Sequence, residues 1–60
     1  KDVTAEGQIT ELGNGVIDFT AVADFAKDKG IPWLSYEQDI TDKPGLESAI
    51  ISIEHLKNCM

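Results

Sequence analysis

The stretch from Ile31 to Asp39, IPWLSYEQD, limits the fold of this chain more than any other. Gly30 and Pro32 stop whatever helix precedes it. Trp33 to Glu37 then reads as one short strand. Successive side chains of a strand point to opposite faces, so Leu34 and Tyr36 share one face and Trp33, Ser35 and Glu37 the other. Neither face is plainly solvated before Glu37. A strand covered on both faces belongs to a parallel sheet flanked by helices, and Trp33 and Tyr36 are expected in its core.

The flanks read as helices. Asp18 is placed to cap a helix over Phe19 to Lys29, with Val22, Phe25 and Ala26 at i, i+3 and i+4 on its apolar face. Gly30 closes it. After the strand, Gln38 to Lys43 is a polar loop; Asp42 can cap, and Pro44 suits the first turn of a second helix. Leu46, Ala49, Ile50, Ile53 and Leu56 form a stripe at helical spacing, expected to pack inward with His55 on the exposed side. Upstream, Lys1 to Thr4 reads as the end of a strand. Ala5 to Gly15 reads as a loop pinned by Ile9 and Leu12, with a turn at Leu12-Gly13-Asn14-Gly15.

Strand end, loop, helix, strand, loop, helix is the alternation of βα units and places residues 1–60 in the α/β class. One full strand cannot make a sheet, so neighbouring strands are expected from further chain or from another copy. A start at Lys1 rather than Met fits the continuation of a longer chain. At 60 residues the chain is near the lower limit for a free-standing domain. It has a single cysteine, Cys59, so no internal disulfide can staple it. A reduced thiol there fits a cytoplasmic setting. Five basic against eleven acidic residues, a net charge of −6, argue against nucleic acid and against an anionic membrane surface.

Five motifs in order carry a resemblance: Lys1-Asp2, Leu12-Gly13-Asn14-Gly15, Val16-Ile17-Asp18-Phe19, Glu37-Gln38-Asp39 and Pro44 to Ser48. The chain resembles the C-terminal portion of the sugar phosphate isomerase/epimerase family, which are xylose isomerase-like TIM (β/α)8 barrels. The resemblance implies that residues 1–60 are the last strand and helix units of such a barrel. A whole barrel runs to about 250 residues, so the rest of the barrel chain would be the principal partner, with a homo-oligomer as a further expectation.

The resemblance also implies a site. Active sites of such barrels lie at the C-terminal ends of the strands, which is where Glu37 falls. The matching family residue helps bind a divalent metal and takes part in proton transfer. A carboxylate suits Mn²⁺ or Mg²⁺ better than Zn²⁺. The metal would polarise a carbonyl while a carboxylate moves the proton on the adjacent carbon. Glu37 is thus the candidate metal ligand and catalytic residue; Lys1, Gln38 and Asp39 are candidates for binding a sugar or sugar phosphate. The bland alternative for each is a solvated rim. Asp2 would sit beside Lys1. Gly13 and Gly15 make a lone G-x-G, read as a turn before a phosphate cradle. The other family ligands are absent, so the 60 residues alone are expected to be inactive. Runner-up readings are a polyol-ketone dehydratase, an endonuclease acting at abasic sites, and a non-catalytic acidic interaction module.

Overall fold

The computed structural model describes all 60 residues. Strands β1 (Asp2–Val3) and β2 (Ile9–Thr10) pair antiparallel, with Asp2 opposite Thr10 and Val3 opposite Ile9. Two helices follow, α1 (Phe19–Asp28) and α2 (Gly45–Asn58). None is long and apolar enough to cross a membrane.

Between β1 and β2 the chain reverses tightly. Gln8 N–H donates to the Thr4 hydroxyl (3.1 Å), Thr4 N–H to Gln8 O (2.8 Å) and Gly7 N–H to Thr4 O (2.9 Å). Gly7 sits at φ +87°, where a side chain is disfavoured. Ile9–Thr10, expected within a loop, is therefore a strand.

The limits of α1 follow local chemistry. Asp18 accepts a hydrogen bond from Ala21 N–H (3.2 Å) and caps the start. At the other end Gly30, at φ +67°, donates to Lys27 O (3.2 Å), and Ile31 N–H donates to Ala26 O (2.9 Å). This pair of bonds satisfies the last carbonyls and turns the chain out of the helix. The buried face is Ala23 and Ala26. Val22 and Phe25, expected inside, are exposed; the Lys29 ammonium lies 6.0 Å from the centre of the Phe25 ring.

Helix α2 starts after Pro44 without a side-chain cap. Asp42 pairs with the Lys43 ammonium instead (3.1 Å). The predicted stripe largely faces outward: Leu46 is 75% exposed, and Ile50 and Ile53 are exposed too. Ser48 and Ser52 are buried in its place, and His55 is half-buried rather than exposed. These three residues and Cys59 follow a 4-3-4 spacing, which is one face of a helix. That polar seam packs on the loop after β2, where Leu12 N–H donates to the Ser52 hydroxyl (3.1 Å).

The parallel βα arrangement of TIM barrel units is not what the chain adopts. Its only sheet is two-stranded and antiparallel, and Trp33 to Glu37 is not a strand. An extended segment becomes a strand only by exchanging hydrogen bonds with a neighbour. Here β1 and β2 use each other, and nothing remains to pair with residues 33–37. Trp33 is accordingly 83% exposed rather than core, and Leu34 is also exposed. Tyr36 is half-buried.

The buried apolar residues are Leu12, Ala23 and Ala26, against four polar ones, Asp2, Glu11, Ser48 and Ser52. So small an apolar core contributes little, and much of the tertiary specificity resides in hydrogen bonds of buried polar groups.

Candidate functional site: a lysine between two carboxylates

Two buried carboxylates organise the loops that carry the predicted site. Asp2, 1% exposed, accepts from four backbone N–H groups: Val3 (2.8 Å), Gly13 (3.1 Å), Gly15 (3.0 Å) and Ile17 (3.1 Å). Burial alone would push its carboxyl up, but these donors together outweigh burial and hold it below the usual range. The G-x-G turn thus does surround an anion, and the anion is the chain's own Asp2. Asp2, expected beside Lys1, turns inward because four backbone donors converge on it.

Glu11, 3% exposed, is the second centre. It accepts from Gln38 Nε2 (2.8 Å), Lys43 Nζ (3.1 Å), Asn14 Nδ2 (3.2 Å), Ser48 Oγ (3.1 Å) and, more weakly, Thr41 Oγ1 (3.4 Å). The Gln38 amide lowers its pKa most, burial opposes, and Lys43, Asn14 and Ser48 add to the lowering, bringing it to about 2. The Lys43 ammonium is shifted up by its hydrogen bonds to Asp42 and Glu11. Glu11 therefore ties the loop after β2 to residues 38–43 and to the start of α2.

Against this frame three of the four predicted site residues meet. Lys1 Nζ lies 3.8 Å from Glu37 Oε1 and 3.9 Å from Asp39 Oδ2. All three side chains are open to solvent, with Glu37 73% exposed. Gln38, between the two carboxylates in sequence, points the other way, into Glu11. Its Oε1 accepts from Tyr36 OH (2.6 Å), and its Nε2 also donates to Ile40 O (2.9 Å). Its amide is fully engaged within the protein, so Gln38 stands behind the cluster rather than in it.

Two carboxylate oxygens converging on one ammonium have the chemistry of a hard-cation site. Two are too few for a divalent metal, and the chain has no group of three or more His, Cys, Asp or Glu that could hold one. His55 and Cys59 form a separate contact, Nε2 to Sγ at 3.6 Å, with the Phe19 ring edge-on to His55 at 6.2 Å.

Sequence reasoning missed Glu11 and the inward role of Asp2. Glu11 carried no usable signal, since its partners lie up to 37 residues away. Asp2 did carry one: an acidic residue at a strand start followed by a G-x-G turn whose amides are free to bind it. Comparison with protein-family models, curated proteins and solved structures found no match.

Proposed function

We propose that this chain supplies part of the site of a divalent-metal-dependent sugar or sugar phosphate isomerase/epimerase. The observation that carries the reading is the meeting of Lys1, Glu37 and Asp39 across 36 residues of sequence; the motif resemblance supports it. Glu37 and Asp39 have the hard oxygens that Mn²⁺ or Mg²⁺ prefers, and the remaining ligands would come from residues outside these 60. A bound cation would polarise the substrate carbonyl. Glu37 takes the proton from the adjacent carbon and returns it, and Lys1 and Asp39 bind substrate oxygens.

The test is proton exchange at that carbon in D₂O with Mn²⁺, in the complete gene product bearing these residues, on a panel of aldoses, ketoses and their phosphates. Glu37→Gln is expected to slow exchange by about 10²-fold or more. Exchange at an unchanged rate would overturn the reading.

A second reading has its own observation. Leu46, Ile50 and Ile53 lie exposed on α2, and an apolar groove lined by Ala23, Ala26, Ile31, Trp33, Leu34 and Leu56 opens beside α1. A non-catalytic acidic module would bury such surface against a second copy. Sedimentation at two concentrations tests it: a dimer that Leu46→Lys/Ile50→Lys dissociates is the expected result, and a monomer throughout overturns it.

A further inference from the structure

We propose that buried Glu11, acting through Gln38, is the positioning residue that sets Glu37 and Asp39 against Lys1. The inference rests on the reading of those three residues as the site and adds what holds them there. From Pro32 to Asp39 no backbone N–H or C=O takes part in a hydrogen bond. Apart from the exposed ion pairs of Lys1, the hydrogen-bonded tether of this segment to the rest of the chain is the Gln38 side chain on Glu11 Oε2 (2.8 Å). Exposed ion pairs near 4 Å are too weak to order an extended segment. The Gln38–Glu11 bond is charge-assisted and lies among partners that already fix Glu11: Ser48 on α2, Asn14 and Lys43.

Geometry supplies the rest. Gln38 is half-buried against Glu11, whereas its neighbours Glu37 and Asp39 are exposed and both face Lys1, with a bend in the chain at Asp39. Holding Gln38 inward thus fixes the position of the residues on either side of it. A glutamine suits the position, because one amide must accept from Tyr36 OH and donate to both Glu11 and Ile40 O. Glu11 touches neither a substrate nor a metal in this scheme; it acts at one remove.

Two readouts on the complete gene product test this. Nuclear Overhauser contacts between the Lys1 ε-methylene and the side chains of Glu37 and Asp39 report the cluster itself. Gln38→Glu sets two carboxylates against each other and is expected to abolish the contacts. Gln38→Leu, which keeps bulk and adds no charge, is expected to do the same. The exchange Glu11→Gln/Gln38→Glu rebuilds an amide–carboxylate bond with roles reversed and is expected to restore them. In the proton-exchange assay Gln38→Glu should lower kcat about tenfold with KM within about twofold, and the double variant should recover most of that loss. Contacts that persist in both single variants, are absent in the unsubstituted protein, or stay lost in the double variant overturn the proposal. If Glu37→Gln leaves exchange intact, the catalytic reading falls by itself, and the Overhauser contacts still decide the tether.

Discussion

The carboxylate of Asp2 lies 3.0 Å from the backbone nitrogen of Gly15, thirteen residues along the chain. A Cβ on Gly15 would land 2.5 Å from Asp2 Oδ1 and would also strike Val3 O. The strand start and the G-x-G turn thus fit each other only because one is an aspartate and the other has no side chain. The frame around the candidate site begins at this contact.

Asp2→Asn is expected to destabilise the fold by about 2 kcal/mol. An amide offers one acceptor oxygen where four N–H donors now converge, and turns N–H groups toward some of them. Gly15→Ala should cost a similar or larger amount, about 2–4 kcal/mol, through the clash. Urea unfolding of both variants measures this. A midpoint unchanged in both would show that the Asp2–turn contact contributes nothing.

Stability should fall on acidification, and Glu11 sets the window. Its folded pKa of about 2 lies below the ordinary 4.5. Its contribution is therefore fully present above about pH 4.5 and is lost as pH falls toward 2. Asp2, also lowered, adds in the same direction. Glu11→Gln should flatten the dependence of the thermal midpoint between pH 5 and pH 2, by analogy with other hydrogen-bonded carboxylates. An equally steep fall in the variant would assign the acid sensitivity elsewhere.

Ser52→Ala should cost about 1–3 kcal/mol although it removes a single oxygen atom. Ser52 is fully buried, and its hydroxyl is the partner of Leu12 N–H, which is left without an acceptor in the variant. Ile53→Ala on the neighbouring exposed face should cost less than about 1 kcal/mol. The ordering of the two, read by denaturant titration, distinguishes a polar inner seam from an apolar one; the reverse order would show that the stripe packs inward after all.

Titration of Mn²⁺ into the 60-residue chain should give binding no tighter than about 10⁻³ M, because two exposed carboxylates resemble the weakest of carboxylate cation sites. Tight binding by calorimetry would mean that the chain completes a metal site from its own residues.

What the sequence disclosed divides by the range of the interaction. The limits of α1 depend on Asp18 and Gly30, each acting within four residues, and both were readable. The extent of α2 was readable from Pro44 and its periodicity, but its orientation was not. Periodicity finds an apolar stripe, and the stripe of α2 points outward while Ser48, Ser52 and His55 face in. A polar seam becomes an inner face only through partners elsewhere, here Glu11 and the Leu12 amide. The strand at Trp33–Glu37 failed for the same reason, since its formation depends on a neighbour that local pattern cannot supply. Of the candidate site, Lys1, Glu37 and Asp39 lie together although the barrel mouth expected to gather them does not form, and the inward turn of Gln38 follows from Glu11 and was unreadable.

The lone indole of the chain, Trp33, stands 83% open to water on the segment whose hydrogen-bonded tether is Gln38. Its fluorescence should be red-shifted and readily quenched by iodide or acrylamide. Anything that comes to lie over residues 31–34, whether further chain or a second copy, would shift that emission to the blue. The protein thereby carries its own optical gauge of whether this segment is covered, with no label required.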